Sequence, residues 1–294
     1  MLYDVRHETR FRYGSAVSLS HQLLKLHPRR SNRQNVISSA LEITPHATAR
    51  RTWVDYFGNE AEFLTVQEAH RELIITNTSQ VEVLPGMNIM LDFSPAWEVV
   101  AQTMQTPTNS EALGASQYCF ESPHVEIHAD LREFALATFE PGRPLLEAAM
   151  VLTSRIYADF TYQGGVTDVS TPVRRVLELR KGVCQDFAHF EIACLRAIGL
   201  PARYVSGYLM THRADGRPRL QGADESHAWL SVWCPELGWV DFDPTNNLIP
   251  NLEHITVAWG RDYSDVSPVS GFIFGGGKHE VRVAVDVTPT TARA

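Results

Sequence analysis

Cysteine is scarce in this sequence, and its distribution excludes two kinds of protein. The 294 residues contain four cysteines, Cys119, Cys184, Cys194 and Cys234, which form neither a CxxC pair nor a dense framework. A secreted disulfide-stapled domain and a zinc module built from paired cysteines both need closer spacing. We therefore expect all four thiols to be reduced.

Long apolar runs and an excess of basic residues are also missing. No run of about 18 apolar residues occurs, and the opening MLYDVRHETRFRYG lacks the apolar core of a signal peptide. Lys and Arg total 26 against 34 Asp and Glu, which gives a net charge of -8. Phosphate backbones and anionic lipid surfaces are then poor electrostatic partners. We expect a cytoplasmic protein that binds neither nucleic acid nor membranes.

The first third of the chain has the pattern of an antiparallel sheet. Apolar and polar residues alternate from Tyr3 to Tyr13 and again from Val17 to Leu23, as a half-buried strand requires. The segment WVDYFGNEAEF predicts a hairpin turn over 55–59, and LIITNTSQVEVL predicts a further strand. From Pro85 to about Ser122 turn formers and weak periodicity predict a linker or a domain boundary.

The middle of the chain is predicted to be helical. One apolar stripe covers 131–138, a second helix begins near Pro144, and Thr171 is the predicted N-cap of a short helix with Pro172 in its first turn. The segment CQDFAHFEIACLRAIGLP is the strongest helix prediction, with Cys184 at its N-terminus. The strand-like runs ARYVSGYL, HAWLSVWC and GWVDFDP follow, and the tail carries a turn at 275–277 before a final strand, VRVAVDV.

The position of Cys184 suits a nucleophile. A thiol attacks a carbonyl as thiolate, and a helix N-terminus supplies positive potential that favours this form. The unpaired backbone N–H groups there can also donate to the oxyanion that such an attack creates. Cys119, Cys194 and Cys234 lack these features, and we interpret them as packing residues.

A base and an orienting group for Cys184 follow from strand parity. His227 shares a strand face with Trp233, and Asp243 shares one with Trp239. If the loop between the two strands has an odd number of residues and Trp233 lies opposite Trp239, the two faces coincide. His227 and Asp243 then become diagonal neighbours, as a nucleophile–base–carboxylate set requires.

Other residues compete for these roles. Asp241 lies on the same face as Asp243, so either could meet the histidine, and the Asp-Pro-Thr context favours Asp243. His189 lies on the Cys184 helix, but one histidine among scattered cysteines is a weak metal signal. Gly275 to Gly277 lack a following helix start and a Lys-Ser or Lys-Thr pair, which favours a hairpin loop over a phosphate cradle.

Three segments carry a family resemblance. GVCQDFAHFEIACLRAIGLPARYVSGYL, ESHAWLSVW and GWVDFDPTN resemble the core of bacterial members of the transglutaminase-like superfamily, and WVDYFGNEAEF and GRDYSDVSPVSG resemble the regions that flank it. The resemblance implies a papain-like α+β fold, with an antiparallel sheet, a central helix that carries the cysteine and an N-terminal β module. It implies three parts: a β-rich region over 1–90, a catalytic core over 91–250 and a C-terminal β segment over 251–294 that packs on both.

The resemblance also implies an activity. Its triad of Cys, His and Asp falls on Cys184, His227 and Asp243, and its members attack amides through a thioester intermediate. For this chain we expect no cofactor and no metal site. Animal transglutaminases commonly have Trp after the nucleophile, where this chain has Gln185, which favours hydrolysis of a peptide or protein substrate over crosslinking. An amine acyltransferase and a catalytically silent protein-binding module remain alternatives. The loop THRADGRPRLQGADES is expected to carry specificity.

Overall fold

The computed structural model describes residues 1–86, 89–210 and 226–290. The predicted specificity loop therefore lies outside the described residues, apart from Ser226 at its end. In the described part, strands and helices combine into an α+β architecture with two main antiparallel sheets. The longest of these helices has 15 residues, and none of them is both long enough and apolar enough to cross a bilayer.

One large sheet is built mainly by the first third of the chain. In the described residues it consists of β1 (Leu2–Leu24), β2 (Gln34–Thr44), β3 (Ala49–Val54), β4 (Glu60–Val66), β5 (His70–Val83), β12 (Val269–Gly275) and β13 (His279–Pro289). The strand β1 pairs with β5 and β4 and also with β13 and β12. The predicted hairpin at 55–59 is confirmed between β3 and β4, and the glycine turn at 275–277 joins β12 to β13.

The second sheet carries the candidate site. It has the order β10 (Gly238–Phe242), β9 (His227–Cys234), β8 (Ala202–Leu209) and β11 (His254–Gly260). A parallel pair of two-residue strands, β6 (Thr161–Tyr162) and β7 (Lys181–Gly182), precedes it in the chain. The segment 251–294 thus contributes β11 to this sheet and two strands to the other, while the three-part domain division stays a prediction.

Of the seven helices in the described residues, six lie between β5 and β8 in the sequence, and the seventh follows β11. They are α1 (Trp97–Gln105), α2 (Ser110–Ser116), α3 (Ala129–Leu136), α4 (Leu145–Asp159), α5 (Val173–Leu179), α6 (Cys184–Ala197) and α7 (Tyr263–Val266), with 3-10 turns at Leu91–Phe93 and Gln117–Cys119. The helix α6 packs on β8 and β9, and 12 of its 14 residues are buried.

Two sequence predictions were wrong in this region. The stretch up to Ser122 is not a linker throughout, because α1 and α2 occupy much of it; Asn109 caps α2 by accepting a hydrogen bond from the Ala112 N–H at 2.8 Å. Thr171 is not the N-cap of α5, because Pro172 holds that position and Thr171 Oγ1 instead accepts from the Asp168 N–H. The fixed φ of proline suits it to the residue that enters a helix as well as to the first turn.

Two buried amides attach the N-terminal strands to the second sheet. Gln34 donates to the Thr256 carbonyl at 2.7 Å and accepts from the Thr256 N–H at 2.8 Å. Asn59 does the same for Trp259, at 2.9 and 3.0 Å. Since β11 is an edge strand, these side chains satisfy backbone groups that would otherwise be open to pairing with another chain.

Candidate active site

Cys184 begins α6, as predicted. Val183 is extended and precedes the helix, and its N–H donates to Asp186 Oδ2 at 2.8 Å. Gly182 permits this arrangement, because a Cβ there would lie 2.6 Å from Asp186 Oδ2. The cysteine is free and largely buried: it is 8% exposed and belongs to the main hydrophobic core.

The register of β9 and β10 confirms the parity argument. Trp233 lies opposite Trp239, and three residues connect Cys234 to Gly238. His227 opens β9, while Asp243 follows the last residue of β10 and forms an antiparallel bridge with Leu248. The two side chains meet, with His227 Nε2 and Asp243 Oδ2 at 2.9 Å.

The Asp243 carboxylate is buried and richly hydrogen-bonded. Oδ1 accepts from the Thr245 N–H at 2.9 Å and the Asn246 N–H at 3.2 Å, and Oδ2 also accepts from Asn246 Nδ2 at 2.9 Å. Burial alone would raise the pKa of Asp243, but the charge of His227 and the hydrogen bonds from His227 and His254 hold it well below its usual range. Asp243 is therefore an anion at neutral pH.

His227 contacts this carboxylate and interacts electrostatically with the thiol. Burial lowers the pKa of His227, but the charges of Asp243 and Cys184 and the hydrogen bond to Asp243 together raise it to about 10. Nε2 bonds to Asp243, and Nδ1 has no hydrogen-bond partner among the described residues. Nδ1 is therefore the nitrogen available to the thiol, and catalytic hydrogen bonds in unliganded enzymes are often long and tighten when substrate binds.

A second histidine, His254, holds the same carboxylate and was missed by the sequence reasoning. Its Nε2 lies 3.0 Å from Asp243 Oδ2, and its ring packs edge-on against Trp229 with centroids 5.2 Å apart. A lone histidine at the start of a strand gives no signal that it will reach a residue eleven positions earlier. Asn246 was also missed, although the turn after Asp243 was a signal that could have found it.

The other candidates have different partners. Asp241 accepts hydrogen bonds from Trp229 Nε1 at 3.2 Å and from Ser231 Oγ, so it is Asp243 that meets His227. His189 stacks on His124 and accepts from the Tyr263 N–H, and burial lowers its pKa to about 3.

The three remaining cysteines are free, and burial raises the pKa of each thiol. The pKa of Cys119 is raised to about 12, that of Cys234 to about 11, and that of Cys194 well above its ordinary value. Such thiols are protonated at neutral pH and are poor nucleophiles. Their surroundings agree with a packing role.

Within the described residues, His227, Asp243 and His254 form a cluster whose nitrogen and oxygen atoms lie within 4.8 Å of one another, as metal ligands also do. Both histidines direct Nε2 at the same Asp243 oxygen. Because a carboxylate only accepts hydrogen bonds, this arrangement assigns a proton to each Nε2.

Comparison with known proteins agrees with the fold. Residues 3–82 match the bacterial transglutaminase-like N-terminal region, and 132–244 match the transglutaminase-like superfamily. An uncharacterized protein of Mycobacterium tuberculosis is 42% identical over 98% of this chain and 92% of its own length. The chain belongs to the transglutaminase-like superfamily. The second matched range contains Cys184, His227 and Asp243.

Two further proteins are similar to this chain. The crystal structure of a candidate cysteine protease from Cytophaga hutchinsonii superposes with a TM-score of 0.75 over 99% of this chain and 92% of that one, at 22% identity, which confirms the predicted fold class. A protein-glutamine gamma-glutamyltransferase of Pseudomonas aeruginosa is 37% identical over 76 residues, 26% of this chain and 11% of its own length. Family and fold together support a cysteine enzyme.

Proposed function

We propose that this protein is a cysteine hydrolase that cleaves peptide or isopeptide amides through a thioester, with Cys184, His227 and Asp243 as its triad. The observation that carries the proposal is the buried His227 imidazole, which bonds to Asp243 at 2.9 Å through Nε2, has no partner at Nδ1 among the described residues and lies close enough to Cys184 for the charge of that residue to raise its pKa. A raised imidazole pKa favours transfer of the thiol proton to His227, and Asp243 stabilises the resulting imidazolium.

The reaction then follows acyl-transfer chemistry. The Cys184 thiolate attacks the amide carbon, and helix-start N–H groups donate to the oxyanion. His227 gives its proton to the leaving amine as the C–N bond breaks, which leaves a thioester on sulfur. Water attacks the thioester while His227 takes a proton from it, and the C–S bond breaks to release the acid and regenerate the thiol.

Asp243 acts here as a positioning residue, and so does His254 behind it. The hydrogen bond from His254 fixes the carboxylate oxygen that His227 contacts, and Asn246 donates to the same oxygen. Because Asp243 is itself fixed by these hydrogen bonds, it holds the His227 imidazole in one tautomer and one orientation.

A second candidate is transfer of the acyl group to an amine. It is favoured by the similarity to the Pseudomonas aeruginosa protein-glutamine gamma-glutamyltransferase, whereas Gln185 after the nucleophile argues for water as the acceptor. The two reactions share every step up to the thioester, so the acceptor alone separates them.

A peptide library with and without a primary amine, read by mass, tests both. Cleavage or deamidation without the amine supports hydrolysis, and mass addition of the amine supports transfer. Cys184→Ala is expected to abolish either product while the protein stays folded, and Cys119→Ala serves as the matched control with activity retained. Product formation by folded Cys184→Ala protein contradicts the proposal, and a library left unchanged by the wild-type protein supports the silent binding module.

A further inference from the structure

A cavity of about 480 Å³ separates the loop before β2 from the second sheet. Its walls come from 31–34 in the N-terminal region and from β8, β10 and β11. Within the described residues, its lining includes His254 but none of the three triad residues. The cavity is therefore distinct from the reaction centre, although a side chain that holds Asp243 borders it.

Arg203 is the cation that this cavity and a neighbouring one of about 700 Å³ share. Its guanidinium carbon lies 4.3 Å from the Trp239 ring centroid and 3.8 Å from that of Trp259, so the group is held between two indoles. The residue is only 8% exposed. Burial lowers its pKa to about 10, which leaves it charged at neutral pH.

The hydrogen-bonding capacity of Arg203 is mostly unused. A guanidinium offers five N–H donors, yet Arg203 makes a single hydrogen bond within the described residues, from Nε to Ser231 Oγ at 3.4 Å. The charge of Asp241 stabilises Arg203, but none of the ion pairs of the described residues includes Arg203. A guanidinium that borders a cavity and makes a single long hydrogen bond has donors left for a ligand. The terminal nitrogens can thus donate to a group that enters the cavity.

The charges around the 480 Å³ cavity indicate what that ligand is. Arg33 adds a second guanidinium, whose hydrogen bonds to Pro250 O and Asn251 Oδ1 are both long at 3.4 Å. The carboxylate in the described lining, Asp241, accepts from Trp229 and Ser231 and also stabilises the charge of Arg203. Two guanidinium groups thus share one carboxylate, which leaves an excess of positive charge at the cavity in a chain whose net charge is -8.

We propose that this cavity binds a small ligand through an oxyanion, a carboxylate or a phosphate group, with Arg203 as the main donor and Arg33 as the second. Guanidinium matches either group with parallel hydrogen bonds. The indoles keep the Arg203 plane fixed, so little entropy is lost when the ligand binds. This site goes beyond the amide chemistry and does not depend on it.

Titration calorimetry at fixed ionic strength tests the site, on Cys184→Ala protein so that turnover does not interfere. The probes are benzoate, inorganic phosphate and neutral benzamide. We expect 1:1 binding of at least one oxyanion and none of benzamide, and the comparison of benzoate with phosphate identifies the group. Arg203→Gln should weaken the binding at least about tenfold, because hydrogen bonds to charged groups contribute roughly 1.5–3 kcal/mol.

Two further variants keep the test decisive. Arg33→Gln should weaken binding by a smaller factor and serves if Arg203→Gln does not fold, while Arg30→Gln, which changes an exposed arginine outside the cavity lining, should bind as the parent does. The proposal is overturned if neither oxyanion binds saturably, or if Arg33→Gln and every folded Arg203 variant bind it as tightly as the parent.

Discussion

Replacing His254 by phenylalanine tests the role of the second imidazole behind the triad. Phenylalanine keeps an aromatic ring against Trp229 but removes the Nε2 donor that lies 3.0 Å from Asp243. The carboxylate loses one of at least five hydrogen bonds while its contact with His227 is left in place. The variant therefore isolates the positioning of Asp243 from the rest of the site.

The expected loss follows from that single hydrogen bond. A bond to a charged group contributes roughly 1.5–3 kcal/mol, which corresponds to about a 10- to 150-fold change. At least four donors remain on Asp243, so we expect the lower end, about tenfold in kcat/KM. The pKa of Asp243 should rise toward its ordinary value, since the hydrogen bond from His254 is among the causes that lower it.

The assay is kcat/KM against pH on a peptide identified from the library. With His254→Phe the acid side of the profile should move to higher pH, a shift that a purely structural role would not cause. The free energy of unfolding should also fall. The lowered pKa of Asp243 stabilises the folded protein at pH values above about 3.9, the pKa of an aspartate in the unfolded chain, and the variant loses part of that stabilisation. His254→Gln, which retains an amide donor, should recover part of the activity, and exposed His46→Phe is the control. Full activity with an unshifted profile in folded His254→Phe would refute the reasoning.

Two other predictions concern the helix that carries the cysteine. Gly182→Ala puts a Cβ 2.6 Å from Asp186 Oδ2, so the hydrogen bond from the Val183 N–H to Asp186 should break. We expect a loss of about 1–2 kcal/mol in the free energy of unfolding, measured by denaturant titration, together with reduced activity. The control is Gly114→Ala, where a Cβ would meet nothing within 4 Å and the change should be neutral or stabilising; equal effects of the two variants would contradict the argument. Burial raises the pKa of Glu191 to about 8, so the folded state keeps a proton that the unfolded chain loses near pH 4.5, and stability should fall between those values by up to roughly 1.4 kcal/mol per pH unit. Glu191→Gln should abolish that slope in melts across the window; an unchanged slope would show that another group causes it.

The parts of the site that the sequence predicts are those governed by local periodicity. Cys184 lies two residues after Gly182 and opens a long amphipathic segment, and the meeting of His227 with Asp243 depends on the parity of a three-residue loop. Both are short-range properties, which helix and strand periods determine directly. The hairpin at 55–59 was predictable for the same reason.

The parts that were missed depend on tertiary contacts or on weaker local signals. His254 reaches Asp243 because β11 pairs with β8 and the turn after Asp243 folds back, and neither follows from a strand period. The helix α1 has a small apolar face of Val100, Ala101 and Met104, too short to stand out among turn formers. Asn109 before α2 was a usable capping signal. The placement of Arg203 between Trp239 and Trp259 depends on the strand order and could not be read from spacing.

The most direct test of the account is the rate at which iodoacetamide alkylates each cysteine, followed by peptide mapping from pH 5 to 9 in the wild-type protein and in His227→Gln. We predict that Cys184 reacts faster than Cys119, Cys194 and Cys234 at neutral pH, and that losing the imidazole which takes its proton slows Cys184 sharply without changing the other three. A Cys184 that reacts no faster than its companions, or whose rate is the same in folded His227→Gln protein, would contradict the claim that the thiol and His227 act together.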